Sequence, residues 1–330
     1  MSFTSKPPEY YHAARYGAAV LNQPWNSGIV QLTGFDRLSW LQGMVTNDVE
    51  KLRPGEGTYA AHLNPQGKLI GQMTILVETD SVLLTMESAN VKKLIDVMEP
   101  MVVMEDVITE NKTGLLDSIA VLGPSAAAVL ESWIGESLNL AALYQHRELS
   151  DNRRIVRDEL GYTLWLEREV SGAALQGIVD AGATRIDEAT WNVIRTEAGQ
   201  PVYGTDIDLT TTLPELGGKG ISYDKGCYIG QEVVARIKYL GHVNRRFMGF
   251  VCDGAGLPSP RSVVRSDGKE VGYTTSSVVS PGMGKAIALG FVNRAAAVAG
   301  TPVELESGDT RITATVSELP FMPFAIGSSD

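Results

Sequence analysis

Lys225-Gly226-Cys227-Tyr228-Ile229-Gly230-Gln231-Glu232, running into Val233-Val234-Ala235-Arg236, is the stretch of this sequence densest in chemistry. A helical pattern starts near Gln231 and continues to Lys238, with Val233, Val234 and Ile237 at one-face spacing and Gly241 as its stop. Cys227 then falls just before a helix N-terminus. There the unpaired N–H groups and the positive dipole end favour a thiolate, and Lys225 adds a full positive charge. Gly226 and Gly230 would both weaken a helix, so they predict a tight loop with close backbone approach. A packed, inert cysteine in a glycine-rich turn fits the same residues, because free cysteine is among the most buried types. Gln231, Glu232 and Arg236 either position this loop or form ordinary helix surface, with Glu232 and Arg236 an i,i+4 pair worth about 0.3 kcal/mol.

A second position stands out by its electrostatics. Asp187 is placed to cap a helix that runs to Ala198 and stops at Gly199. Glu197 lies in its last turn, facing the negative dipole end, where Arg195 is favourable. One reading is an exposed glutamate that tolerates a small penalty. The other is a carboxylate held out to accept hydrogen bonds from a ligand edge with adjacent N–H donors.

The bulk properties bound what these groups can serve. The 330 residues predict about two or three domains, and 44% hydrophobic content is ample for real cores. A net charge of −11 argues against non-specific grip on nucleic acid, which needs clustered Lys and Arg; Arg153-Arg154 and Arg245-Arg246 are only short pairs. Two cysteines, Cys227 and Cys252, form no CxxC pair and no secretory framework, so a reducing cytosol is the expected compartment. Residues 1–16 lack a signal-type apolar run, and no stretch reaches the length of a membrane span, so a soluble cytoplasmic protein is expected. His12, His62, His146 and His242 are scattered without metal-ligand spacing, and no metal site is expected.

The elements that must position the motif read as follows. Residues 1–26 form an extended lead-in. Strands are predicted at 29–32, 58–63, 68–78, 82–86, 102–108, 117–123, 154–157 and 161–166, and helices at 35–41, 89–98, 124–133, 171–180 and 187–198. The turn Asn64-Pro65-Gln66-Gly67 makes a hairpin of 58–63 and 68–78. An irregular stretch through Gly220 delivers the chain to the motif. Beyond Val243, short alternating segments at 247–252, 262–265, 270–275, 286–292, 301–305 and 311–317 predict a small antiparallel barrel.

Together these residues resemble the folate-binding superfamily of the glycine-cleavage T-protein (GcvT), and within it the YgfZ-like branch. Leu41-Gln42-Gly43 through Thr46-Asn47-Asp48-Val49 with Pro54-Gly55 is similar to the family's early segment. Arg195-Thr196-Glu197-Ala198-Gly199 with Tyr203-Gly204-Thr205-Asp206-Ile207 is similar to its middle block, and Gly272-Tyr273-Thr274-Thr275-Ser276, Ser280-Pro281 and Leu319-Pro320-Phe321 to its C-terminal barrel. The branch is named by Lys225 to Glu232, the signature of YgfZ-like proteins.

The resemblance implies an α+β fold of three domains in a ring around a central folate cavity. The first domain, 1–55 with 115–215, is discontinuous; 56–114 is an inserted second domain, 216–242 the motif loop and connecting helix, and 243–330 the C-terminal antiparallel β-barrel. Tetrahydrofolate or a one-carbon derivative is the implied cofactor, with Glu197, Gln72, Tyr59 and Tyr203 as folate-binding residues. The implied functional residues of the motif are Cys227, Lys225, Gly226, Tyr228, Gly230, Gln231, Glu232 and Arg236. The T-protein hairpin carries two consecutive aspartates where this chain has Gly71 and Gln72, which makes glycine cleavage improbable and leaves open whether the chain is an enzyme at all. The branch implies an accessory factor for iron–sulfur cluster assembly or repair that meets assembly proteins or client enzymes, including those that thiolate tRNA, without itself binding nucleic acid or membrane. A folate-dependent one-carbon transferase, aminomethyltransferase or demethylase, is the alternative, and an inert folate-binding scaffold a third.

Overall fold

Alternating apolar and polar residues in the last third of the chain close into a six-stranded antiparallel barrel. Its strands β12 (Arg245–Cys252), β13 (Val263–Ser266), β14 (Lys269–Ser280), β15 (Lys285–Asn293), β16 (Pro302–Ser307) and β17 (Thr310–Ser317) run in the order β12-β15-β14-β13-β16-β17. This barrel belongs to a computed structural model that describes residues 8–149, 153–254 and 256–324. Met248, Phe250, Cys252, Ala288, Leu305 and Ala314 are among the side chains filling the barrel core. Against β14 and β15 lies α6 (Glu188–Glu197), begun by the Asp187 side chain accepting from the Thr190 N–H as its N-cap. Residues 8–12, 186–218 and 237–324 make up this unit.

The other unit comprises residues 13–185 and 219–236. One of its sheets has five strands in the order β3-β4-β5-β2-β6: β2 (Gly28–Thr33), β3 (Gly57–Leu63), β4 (Leu69–Val77), β5 (Val82–Met86) and β6 (Ile108–Asn111). Helices α2 (Arg37–Met44) and α3 (Val91–Met98) bury Leu41, Val91, Leu94 and Met98 against Ala60, Met73 and Ile75 of that sheet. The second sheet has six strands, β11-β1-β7-β10-β9-β8, built from β1 (Ala19–Asn22), β7 (Leu116–Leu122), β8 (His146–Leu149), β9 (Arg153–Arg157), β10 (Gly161–Glu167) and β11 (Thr184–Arg185). It is covered by α4 (Ala126–Ile134) and α5 (Arg168–Asp180) through Val129, Leu130, Ala174 and Ile178. Ile29, Leu76 and Leu83 meet Val156 and Trp165 where the two sheets adjoin. Among the described residues no helix is long and apolar enough to cross a membrane.

Three expectations change. The described part of the lead-in is regular: α1 (Glu9–Tyr16) and β1 are held by burial of Tyr11, Ala14, Val20 and Leu21, in segments too short to show a period; residues 1–7 lie outside the described part. No strand spans 102–108. Val103 and Met104 are 80% and 93% exposed, and pairing begins only where β6 meets β2 at Ile108. Finally, β2 pairs with both β5 and β6, so the five-stranded sheet reaches back to Gly28 instead of starting near 56. Likewise 186–218 groups with the barrel and 219–236 with the sheets, so the borders expected at 55 and 215 do not coincide with these divisions.

Candidate functional site

The motif loop is fastened from below by one lysine. Lys225 is 8% exposed, and its ammonium donates to the carbonyls of Gln42 (2.7 Å), Val45 (2.7 Å) and Asn47 (2.8 Å). Two of these belong to the C-terminal end of α2, where carbonyls lack intrahelical partners and a cation is favoured. The Tyr228 ring lies 5.2 Å from the same ammonium, and the Ile229 N–H donates to the Gly43 carbonyl. Burial pulls the Lys225 pKa down to about 8, opposed by the charges of Asp48 and Glu50. Three carbonyl acceptors at once suit only a charged ammonium with its three donors. Lys225 is therefore a fastening for the loop, a role that its place two residues before Cys227 did not announce.

The rest of the motif is placed as follows. Cys227 is exposed, which removes the packed-cysteine reading. The helix α7 (Gln231–Tyr239) begins at Gln231, as expected, and Tyr228, Ile229 and Gly230 lie between it and Cys227. Tyr228 is buried, and that burial pushes its phenol up to about 12. Gly230 has φ +82°, and a Cβ there would lie 2.6 Å from the Asn64 carbonyl oxygen, so the loop rests on the hairpin turn through backbone that only glycine permits. Gly226 is different, because a Cβ would meet nothing within 4 Å; no close approach requires it. Gln231 is half-buried, and Glu232 and Arg236 are exposed with no ion pair between them among the described residues.

Next to this loop stands the β3–β4 hairpin. Ala61 pairs with Gln72 and Tyr59 with Thr74, which sets Tyr59 and Gln72 diagonally on one face. The Tyr59 hydroxyl donates to Gln72 Oε1 at 2.6 Å. Gly71 points the other way, its nearest neighbour being Leu94 Cδ1 at 3.7 Å from a notional Cβ, so position 71 faces core. Thr46 and Asn47 bind the pieces together: Thr46 Oγ1 donates to the Gly220 carbonyl (2.7 Å), and Asn47 Nδ2 to the Tyr59 carbonyl (2.9 Å). The structure thus gathers Tyr59, Gln72 and the Cys227 loop into one unit. Sequence reasoning missed a further group here, Lys219 ion-paired with Glu159, which also accepts from the Tyr144 hydroxyl.

Glu197 and Tyr203 belong to the barrel unit. Glu197 is fully buried, so it is not the exposed glutamate one reading expected. Both its carboxylate oxygens accept from the Tyr11 hydroxyl at 2.9 Å, and Oε1 accepts from Ser280 Oγ at 2.5 Å. Tyr203 is 9% exposed and bridges to Ile207. Beside them is a buried network that sequence reasoning also missed. Asp206 receives Arg195 (2.9 Å) and the Val202 N–H (2.9 Å) on Oδ2, and Thr275 and Ser276 (each 2.6 Å) on Oδ1.

Cys252 is fully buried in the barrel core, and burial pushes its thiol up to about 11. One equivalent of iodoacetamide at pH 8 is therefore expected to modify Cys227 alone in the native protein, with Cys252 labelled only after denaturation. Peptide mass mapping checks this; equal labelling of both in the native state would contradict the burial.

The GCVT N-terminal domain matches residues 11–221, and the glycine cleavage T-protein C-terminal barrel domain matches residues 245–322. The chain belongs to the GcvT family. It is 29% identical over 325 residues to an aminomethyltransferase of Nostoc sp., covering 94% of this chain and 86% of that one. It is 30% identical over 324 residues to one of Rippkaea orientalis (89% and 84%) and 27% identical over 325 residues to one of Bacillus subtilis (94% and 89%). The crystal structure of the glycine cleavage system aminomethyltransferase T from Bartonella henselae shares its fold, with a TM-score of 0.88 and 20% identity over 97% of this chain and 90% of that one.

Proposed function

We propose that this protein binds tetrahydrofolate or a one-carbon derivative, and that it acts through Cys227 as an accessory factor for iron–sulfur cluster assembly or repair, in the manner of YgfZ-like proteins. The observation that carries the proposal is an exposed thiol on a loop pinned by Lys225 and Gly230. A loop fastened at that depth presents its sulfur outward in a fixed place, where a cluster, a sulfur species or a partner thiol can meet it. Its partners are folate and the assembly proteins or cluster-dependent client enzymes, among them tRNA-thiolating ones, in the cytoplasm.

The residues present fit a reduced folate in part. Tyr59 offers an aromatic face with its hydroxyl fixed by Gln72, and Lys219 with Glu159 adds a cation and a carboxylate beside it. Within the barrel unit, Glu197 is already engaged by Tyr11 and Ser280, so it can accept from any ligand only if the Tyr11 hydroxyl gives way. When bound, the folate supplies one-carbon chemistry at its N5 and N10 nitrogens.

The names of the relatives favour a second reading, a folate-dependent one-carbon transferase. Against it, the only side chain at positions 71 and 72 is the neutral amide of Gln72, bonded to Tyr59. One comparison separates the two. A strain lacking this protein is expected to recover activity of its cluster-dependent enzymes with the wild-type chain but not with Cys227→Ser. Full rescue by Cys227→Ser, together with turnover of an aminomethyl or methyl donor by purified protein and tetrahydrofolate, would replace the first reading by the second.

A further inference from the structure

The hairpin face carrying Tyr59 and Gln72 has no carboxylate of its own, yet a charged pair stands against it. The Lys219 ammonium lies 5.0 Å from the Tyr59 ring centroid and is ion-paired with Glu159. Glu159 Oε1 also accepts from the Tyr144 hydroxyl at 2.5 Å. The approach is built into the backbone: Gly220 has φ +78°, and a Cβ there would lie 2.6 Å from Tyr59 Cδ1, so the chain bearing Lys219 rests directly on the ring. Thr46 Oγ1 holds the Gly220 carbonyl at 2.7 Å. Three segments remote in sequence are thereby joined: the approach to the motif rests on the hairpin at Tyr59, and the turn between β9 and β10 reaches that approach through the Glu159–Lys219 pair.

Stability is a weak reason for such a pair. The Lys219 and Glu159 side chains are 51% and 28% exposed, and ion pairs open to solvent contribute little to folding. Desolvation of the Tyr59 and Tyr144 phenols holds both above the ordinary tyrosine value, so both remain hydrogen-bond donors at neutral pH. Burial pulls the Lys219 pKa down to about 8 while Asp158 pulls it back. With half of the side chain in solvent and Glu159 in contact, the ammonium stays charged at neutral pH.

We propose that Glu159 is the carboxylate that serves this face: it accepts hydrogen bonds from the N–H groups of a reduced pterin lying against Tyr59 and Gln72, where Gly71 and Gln72 supply no charge. Lys219 is the positioning residue that holds it there. The inference rests on the folate reading above.

Calorimetric titration of the full-length protein with tetrahydrofolate tests it. Glu159→Gln is expected to weaken binding about tenfold, the loss of one charge-assisted acceptor. Lys219→Met is expected to weaken binding severalfold at pH 8, less than Glu159→Gln does, and to move its acid limb to higher pH, because a carboxylate without its cation is less well held and protonates more readily. Melting temperature and Cys227 alkylation should match the wild type in both variants. If Glu159→Gln binds as tightly as the wild type, the inference is overturned and the folate reading stands. If the wild type binds no tetrahydrofolate, the folate reading falls and takes the inference with it. Should Glu159→Gln misfold, an unshifted acid limb in Lys219→Met overturns the inference by itself.

Discussion

Asp206→Ala is expected to lower the stability of the barrel unit by about 3–5 kcal/mol, the usual cost of removing one partner from a buried ion pair. The Asp206 side chain is fully buried and that of Arg195 is 6% exposed. Without the carboxylate, the buried guanidinium keeps only the neutral acceptors Asn192, Gln200 and Ser276, the Ser276 hydroxyl and the Val202 N–H lose their Asp206 acceptor, and Thr275 falls back on the Leu289 carbonyl. A domain typically has about 5–15 kcal/mol to lose. Chemical denaturation reads the global effect, and hydrogen exchange in β14 reads it locally. Replacing both charges, Arg195→Met with Asp206→Leu, should recover part of the loss, because the penalty lies in the unpaired charge more than in the missing pair. An Asp206→Ala protein as stable as the wild type would show that water or another group compensates Arg195.

The second large effect belongs to Lys225. Lys225→Met removes three donors from three carbonyls and is expected to cost about 2–4 kcal/mol, more than one charge-assisted hydrogen bond and less than the sum of three. Its signature is local: faster hydrogen exchange over residues 219–230 and at the end of α2, with the barrel strands unchanged. Lys225→Arg should fare little better. A planar fork spreads its donors, whereas these carbonyls converge on a single point. Unchanged exchange in the loop would mean that Tyr228 and Gly230 hold it without the lysine.

The barrel was legible because its signals are local. Turns at Asp267-Gly268 and Ser307-Gly308 fall where strands β13–β14 and β16–β17 reverse, and the glycines there take positive φ. The blocks Arg195–Gly199, Tyr203–Ile207 and Gly272–Ser276 were also visible, but as separate strings. What joins the three is Asp206, a contact 69 residues from Thr275 in sequence, and no period or cap announces such a pairing. Lys225 shows the limit from the other side. Its charge next to Cys227 was plain, whereas its direction, toward the end of α2, depends on how the loop packs. Lys219 and Glu159 carried no mark except their turn glycines, Gly220 and Gly161. An ordinary surface lysine becomes notable only once Tyr59 is found beneath it.

The burial of Cys252 has one more consequence. A thiol that reacts with an oxidant or a sulfur donor usually needs a second thiol to complete a two-electron cycle, and the only other sulfhydryl in this chain is closed inside the barrel core. Cys227 therefore has no resolving partner at home. Any persulfide or mixed disulfide formed on it must be discharged by another molecule, so in the proposed function each cycle ends in an encounter.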